Sequence, residues 1–255
     1  MILAIDIGNT NIVVGCIDKE KTYFIERLSS DRSKTELEYA IMIKNVLDIY
    51  GIEPVKLEGG IICSVVPQIT QIVRLAVKKI LFKEIMVLEP GIKTGMNILM
   101  DNPAQVGSDL IADAVGAISE YPTPLIIFDM GTATTVCVVD KNKNYIGGMI
   151  LPGIRTSLDA LTAKAAQLSS IELAAPKRVI GKNTVECTRS GIINGNAACV
   201  DGIITRMEEE LGEKATVVAT GGLAKTIVPF CKQEVILDED LLLKGLLCIY
   251  DKNKA

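Results

Sequence analysis

The sequence carries one pattern twice, and this repeat constrains the fold more than any other feature. Residues 2–16 read I-L-A-I-D-I-G-N-T-N-I-V-V-G-C, and residues 125–139 read L-I-I-F-D-M-G-T-A-T-T-V-C-V-V. Each copy is an apolar run, an Asp, one residue, a Gly, a few small polar residues and a second apolar run. Two apolar runs joined by a Gly-containing polar turn predict a β-hairpin. The repeat therefore predicts two similar halves.

The turn of each copy places a carboxylate beside a glycine: Asp6 precedes Gly8, and Asp129 precedes Gly131. A glycine lets backbone N–H groups approach an anion, and a carboxylate can hold a cation or its water shell. One copy alone would favour an ordinary hairpin turn, where Asn and Gly are common for conformational reasons. The second copy favours two phosphate-binding loops that grip one nucleotide.

Composition narrows the function classes. With 49% hydrophobic residues in 255, the chain can bury a sizeable core, and its net charge of −4 gives no general attraction to nucleic acid or an anionic membrane. The seven cysteines form no C-x-x-C pair, which argues against disulfide scaffolding and structural zinc and for a cytoplasmic location. Cys16, Cys63 and Cys137 lie in apolar runs and are interpreted as small core residues. No basic segment precedes an apolar run at the N-terminus, and no apolar run reaches membrane-spanning length.

Periodicity predicts an α/β protein with two mixed sheets. Strand patterns alternate with helical spacing of apolar residues in the same order in both halves. The predicted strands are residues 2–5, 13–17, 23–28, 60–66, 84–88, 125–128, 135–139, 145–150, 216–219 and about 234–237. The predicted helices are residues 34–50, 69–81, 156–167, 188–211 and 241–250.

A carboxylate is the natural general base in this chain, because it contains no His. Asp109 begins a stretch with a helical apolar stripe, and Asp113 lies one turn later, opposite that stripe. The alternative is that Asp109 only complements the helix macrodipole. Gly221 and Gly222 follow a predicted strand, and they form either a tight turn or a place where the backbone approaches a nucleoside.

Several motifs together resemble a known superfamily. They are D-I-G-N-T at 6–10, D-N-P-A-Q-V-G-S-D at 101–109, D-M-G-T-A-T-T at 129–135, G-K-N-T at 181–184 and T-G-G at 220–222. This set resembles the actin, Hsp70 and sugar-kinase ATPases and, more narrowly and over nearly the whole length, the type III pantothenate kinases. The resemblance implies a duplicated ribonuclease-H-like fold, with halves at 1–118 and 119–255 and ATP between them.

The resemblance also implies the ligands of the two loops. Mg²⁺ would be held near Asp6 through water, and a monovalent cation, K⁺ or NH₄⁺, near Asp129. The implied ATP-binding residues are Asp6, Ile7, Gly8, Asn9, Thr10, Asn11, Ile12, Val13, Thr132, Gly221 and Gly222.

On the acceptor side, the resemblance implies phosphorylation of pantothenate to 4'-phosphopantothenate, the first step of coenzyme A biosynthesis, with Asp109 as the base. In the family's homodimer a Thr at the position of Thr184 reaches the substrate bound to the neighbouring subunit. The implied substrate-binding residues are Met100, Gly107, Ser108, Asp109, Leu110 and Thr184.

Three positions depart from the family pattern. Leu110 stands where the family has Arg, Asp113 where it has Asn, and Met100 where it commonly has Tyr. Leu cannot supply the charged donors of Arg, so the acceptor pocket is more apolar than is usual. Two alternatives to a pantothenate kinase therefore stay open: a related kinase for a less anionic hydroxyl compound, and a nucleotide-binding regulator without catalysis.

Overall fold

A computed structural model of the chain describes residues 1–165, 168 and 171–254. They form two compact units. The first contains Met1–Met96, Asp101–Glu120 and the C-terminal segment from Asp240, and the second contains Asn97–Met100 and Tyr121–Glu239. Among the described residues, no helix is both long and apolar enough to cross a membrane.

The first unit is built on a five-stranded mixed sheet. Its strands are β1 (Ile2–Ile7), β2 (Asn11–Ile17), β3 (Thr22–Ser29), β4 (Gly60–Ser64) and β5 (Ile85–Val87). The order is β3-β2-β1-β4-β5, with β1, β2 and β3 antiparallel and β4 and β5 parallel to β1. Its first three helices are α1 (Glu36–Ile49), α2 (Pro67–Leu81) and α3 (Ser108–Glu120). A capping box between Thr35 and Glu38 begins α1, and Pro67 stands at the start of α2.

The second unit is built on a six-stranded mixed sheet. Its strands are β6 (Asn97–Ile98), β7 (Leu125–Met130), β8 (Ala133–Val139), β9 (Asn144–Pro152), β10 (Thr216–Thr220) and β11 (Ile236–Leu237). Its helices are α4 (Ile154–Lys164), α5 (Thr184–Leu211) and the short α6 (Ala224–Ile227). Short 3₁₀ turns occupy residues 54–56, 103–105 and 228–230 of the chain. The helix predicted at 156–167 is confirmed as α4, although the predicted end at Gln167 lies outside the described residues.

The two sheets share one topology, which confirms the predicted α/β fold class. In the second unit, β9-β8-β7-β10-β11 repeats the order β3-β2-β1-β4-β5, and β6 adds to the edge beside β9. Both predicted hairpins are present, because β1 pairs antiparallel with β2 and β7 with β8. Each central strand, β1 or β7, is hydrogen-bonded on both sides and is apolar up to its Asp, as a buried strand requires.

The last helix, α7 (Leu241–Asn253), belongs to the first unit. This division differs from the sequence-based boundaries, which assign residues 119–255 to the second half. The reason is close packing between α7 and α3: a Cβ on Gly245 would lie 1.8 Å from the Ala112 carbonyl oxygen, and one on Gly116 would lie 2.4 Å from the Leu241 carbonyl oxygen. The apolar side of α7 joins the core beneath β1, including Ile2.

Replacement of Gly245 by Ala is expected to destabilise the protein, because the added methyl group has no space against the α3 backbone. We expect a loss of about 1–3 kcal/mol in the free energy of unfolding, measured by urea denaturation. Gly195→Ala in α5 is the matched control, since a Cβ there meets nothing within 4 Å. The control should gain up to about 1 kcal/mol from better helix propensity. Equal stability of the two variants would contradict the close packing.

Candidate active site

The first predicted loop lies at the end of β1. Asp6 is half-buried there, and the turn that follows is closed by a 3.0 Å hydrogen bond from the Gly8 N–H to the Asn11 carbonyl. The side chains of Asn9, Thr10 and Asn11 are exposed. By contrast, the side chains of Ile7 and Ile12 are fully buried in the core, so only their backbone is available to a ligand.

The second predicted loop is a similar but shorter turn at the end of β7. The Gly131 N–H donates to the Ala133 carbonyl at 3.0 Å, Asp129 is half-buried, and Thr132 is exposed. The Thr132 carbonyl accepts a 2.8 Å hydrogen bond from the Thr156 hydroxyl at the start of α4, which ties the turn to that helix. The two loops therefore present the same elements: a strand-end carboxylate and an exposed polar turn.

Gly221 lies against the carboxylate of Asp129. It directly follows β10, whose last residue, Thr220, pairs in register with Asp129. A Cβ at Gly221 would lie 2.4 Å from Asp129 Oδ1, and the residue has φ +91°, which L side chains rarely adopt. Gly222 beside it is exposed. Both the limited space and the backbone conformation thus require glycine at position 221. The turn that contains it lies directly against the second loop.

The surroundings of Asp129 fit a hard cation. Thr135 lies directly opposite Asp129 on β8, so the two side chains share one face of the sheet. The Thr135 hydroxyl oxygen is buried and has no hydrogen-bond partner among the described residues. A buried, unsatisfied hydroxyl beside a carboxylate is costly unless a ligand completes it, and oxygen donors suit alkali and alkaline-earth cations.

The first loop offers fewer ligands. Within the part of the chain that the structure describes, no group of three or more His, Cys, Asp or Glu side chains is arranged to hold a metal. The strand-end carboxylate of Asp6 fits Mg²⁺, which keeps several waters and binds protein through one or two carboxylates plus substrate phosphates.

Asp109 lies in the first turn of α3. Its Oδ1 accepts a 2.9 Å hydrogen bond from the Leu110 N–H, and a Cβ at Gly107 would lie 2.3 Å from the same oxygen. Burial raises the pKa of the Asp109 carboxyl above its ordinary value of 3.8, although backbone hydrogen bonds from Leu110 and from its own N–H partly oppose the shift. A buried carboxylate whose pKa is raised is a stronger base than an exposed one, as proton abstraction requires.

Ser108 joins the start of α3 to the end of β4. Its hydroxyl donates to the Ser64 carbonyl and accepts from the Ser64 N–H, both at 3.1 Å. The Ser64 hydroxyl in turn accepts from Thr70 at 2.7 Å. These bonds fix the first turn of α3, and with it Asp109, against the strand that neighbours β1.

Sequence reasoning missed the role of Cys63. The thiol is buried, as expected of a core residue, but its Sγ lies 3.2 Å from Asp6 Oδ1. Burial raises the pKa of the thiol well above its ordinary value, and the charges of Asp6, Asp109 and Asp113 raise it further. The thiol therefore lies among three carboxylates of the first unit. No local signal reveals this, because the contact depends on the parallel pairing of β1 with β4.

The positions that depart from the family pattern fall in both units. Leu110 is half-buried in α3, and Asp113, which the sequence placed opposite the apolar stripe with Asp109, is only 1% exposed because α7 and β4 pack against α3. Met100 lies in the second unit at 38% exposure. Thr184 is exposed at the start of α5, directly after the helix cap formed by Asn183.

Comparison with known proteins gives one consistent family. The family model described as type III pantothenate kinase matches residues 2–206. A type III pantothenate kinase of Exiguobacterium sp. strain AT1b is 45% identical over 254 residues, which is 100% of both chains. The one of Bacillus cytotoxicus is 44% identical over 99% of this chain and 97% of its own. Among solved structures, component A of (R)-2-hydroxyglutaryl-CoA dehydratase from Acidaminococcus fermentans aligns with a TM-score of 0.55 at 15% identity, covering 98% of this chain and 96% of its own. This last likeness concerns the fold alone.

The raised pKa of Asp109 predicts how stability depends on pH. A carboxyl whose pKa is higher in the folded than in the unfolded state destabilises the fold once it ionises, so the cost is present above its folded pKa and disappears as the pH falls below its unfolded pKa. Asp109→Asn keeps the hydrogen-bond acceptor but removes the charge. We expect a higher melting temperature than wild type at pH 7–8, and a difference that shrinks as the buffer approaches pH 4. A variant less stable than wild type at pH 8 would contradict the buried charge.

Proposed function

The chain belongs to the type III pantothenate kinase family, and from this premise we propose that it transfers the γ-phosphoryl group of ATP to the hydroxyl of pantothenate, the first step toward coenzyme A. The observation that carries the proposal is the full-length match to relatives of that name, at 42–45% identity. The half-buried carboxylate of Asp109, next to the Ser108 that is bonded to β4, supports it independently.

Two other functions were open from the sequence: a related kinase with another acceptor, and a regulator without catalysis. Leu110 and Met100 make the acceptor side more apolar than the family pattern, but identity over the whole chain outweighs two side chains. The regulator is also disfavoured, because Asp6, Asp109 and Asp129 are all present and lie at defined positions in the fold. Pantothenate is therefore the acceptor of first choice.

In the proposed reaction, Asp109 accepts the proton of the attacking hydroxyl. The hydroxyl oxygen forms a bond to the γ-phosphorus while the bond from that phosphorus to the β,γ-bridging oxygen breaks, and ADP leaves with those electrons. Its raised pKa makes Asp109 a better proton acceptor, and Gly107 leaves the space its carboxylate occupies. We assign Gly107, Ser108 and Leu110 to the wall of the acceptor site and Ser108 to the anchoring of α3.

The first loop is proposed to receive the phosphates of ATP. Asp6 would hold Mg²⁺ through water, and the exposed turn from Asn9 to Asn11 would approach the phosphates. Bound Mg²⁺ neutralises charge that develops on the β- and γ-phosphate oxygens. The side chains of Ile7, Ile12 and Val13 support the loop from within the fold, the first two from the core.

The second loop is proposed to hold a monovalent cation and to contact the nucleotide. Asp129 and the Thr135 hydroxyl would ligate K⁺ or NH₄⁺, Thr132 would contact ATP, and Gly221 with Gly222 would border the adenosine. The support for this assignment is the unsatisfied buried hydroxyl beside the carboxylate.

We also infer a homodimer in the cytoplasm, in which Thr184 contacts the substrate of the neighbouring subunit. The exposed position of Thr184 at a helix start leaves it accessible to a partner, and the seven cysteines of the described chain are free thiols, as is usual in a reducing compartment.

Turnover of pantothenate tests the proposed function. The purified chain with Mg²⁺, ATP and pantothenate should release ADP and form a phosphorylated acid, whereas Asp109→Asn should lower kcat by about 10²–10⁴-fold while ATP still binds. ATP binding is measured by calorimetry.

As a comparison, ADP release is measured with pantetheine and other small hydroxyl compounds in place of pantothenate under the same conditions. If millimolar pantothenate gives no ADP while another compound does, the acceptor is wrong. If Asp109→Asn turns over near the wild-type rate, the base is wrong although the kinase assignment stands.

Monovalent cations should activate the enzyme, because a cation beside the Asp129 carboxylate would give the buried Thr135 hydroxyl oxygen the partner that it lacks among the described residues. Activity is expected to be higher in K⁺ or NH₄⁺ than in Na⁺, and Thr135→Val should weaken that response. Thr134→Val is the matched control, since the Thr134 hydroxyl oxygen is also buried and unsatisfied among the described residues, whereas its side chain points to the other face of β8. Equal activity in Na⁺ and K⁺, or equal effects of the two variants, would count against this cation site.

A further inference from the structure

The thiol of Cys63 contacts Asp6, the carboxylate proposed to hold Mg²⁺–ATP, but it has no role in the proposed reaction. Cys63 and Asp6 are neighbours in register on the parallel strands β4 and β1, so their side chains lie on the same face of the sheet. The 3.2 Å separation between Cys63 Sγ and Asp6 Oδ1 is within hydrogen-bond distance for sulfur. An ionised carboxylate can only accept, so the S–H group is the donor.

Burial strengthens the hydrogen bond that this weak S–H donor makes. Cys63 is 0% exposed, and water therefore does not compete for its S–H group. A hydrogen bond to a charged acceptor is stronger than one between neutral groups, and low dielectric strengthens it further. The same burial excludes the usual role of a functional cysteine, because reactive thiols are partly exposed and surrounded by positive charge.

The strand end that carries Cys63 also holds the proposed base. Ser64, the next residue, binds Ser108 through both its N–H and its carbonyl, and Ser108 precedes Asp109. Two consecutive residues of β4 thus contact Asp6 through a side chain and the first turn of α3 through the backbone. The spacing between the two functional carboxylates of the first unit is therefore set at this strand end.

The second unit offers an internal comparison. The residue in register with Asp129 on the neighbouring parallel strand is Thr220, and the residue opposite it on the hairpin partner is Thr135. The corresponding neighbours of Asp6 are Cys63 and Val13. Asp129 is thus flanked by two hydroxyl residues, whereas a single thiol is the hydrogen-bonding group at the equivalent positions around Asp6.

We propose that Cys63 is a positioning residue of the phosphate-donor site, whose S–H group fixes the Asp6 carboxylate in the orientation that receives Mg²⁺–ATP. The inference rests on the proposed role of Asp6. It predicts that loss of the donor weakens the use of Mg²⁺–ATP and leaves the acceptor side unchanged.

The test compares Cys63→Ala, which removes the donor, with Cys63→Ser, which restores one. Cys63→Ala should raise the Mg²⁺ concentration for half-maximal activity, and the Kd of Mg²⁺–ADP measured by calorimetry, by about three- to tenfold, the effect of one ordinary hydrogen bond, since the S–H group is a weak donor. The KM for pantothenate should stay unchanged, and Cys63→Ser should recover most of the loss. Cys16→Ala is the matched control, because Cys16 is equally buried in the same sheet but its thiol contacts the sulfur of Met1 instead.

The outcomes distinguish a wrong role for Cys63 from a wrong role for Asp6. If Cys63→Ala and Cys16→Ala weaken Mg²⁺–ADP binding equally, or if Cys63→Ser fails to recover it, Cys63 is only a core residue and the inference is overturned. Asp6→Asn serves as the reference: if it binds Mg²⁺–ADP as tightly as wild type, the role of Asp6 itself is wrong. Weaker binding in Asp6→Asn with normal binding in Cys63→Ala would reject the role of Cys63 alone.

Discussion

The central strand of each sheet is the constraint on which the rest of the structure depends. β1 and β7 are hydrogen-bonded on both sides, and the four residues before the Asp of each strand are buried and apolar. Asp6 and Asp129 are the half-buried penultimate residues of these strands, just before the chain turns into the next strand. A carboxylate at this point is held by rigid backbone pairing, while the turn beside it stays open to a ligand.

Duplication of the backbone has not duplicated the chemistry. The two carboxylates stand at equivalent places on the central strands, but the strands beside them bring a thiol to Asp6 and hydroxyls to Asp129. Oxygen donors suit a bound cation, whereas a thiol can donate a hydrogen bond to the carboxylate it contacts. The unequal roles proposed for the two loops therefore rest on single residues of neighbouring strands.

The third carboxylate, Asp109, illustrates a conflict between stability and function. Its burial raises its pKa, which costs stability once the group ionises but makes it a stronger base. Contacts at the start and in the middle of α3 hold this helix in place despite the unfavourable charge. Ser108 binds the end of β4, and the close glycine contacts hold α3 against α7.

Local sequence pattern is enough to predict both hairpins, the Asp and Gly positions of their turns, the helix that begins near Asp109, and the α/β class. Hydrophobic periodicity and turn chemistry are short-range properties, so one sequence suffices to read them. The tertiary structure alone decided that Cys63 contacts Asp6, that Asp113 is buried and that α7 joins the first unit. Parallel strand pairing and helix packing join residues that are far apart in the chain, and no local spacing encodes which distant segments meet.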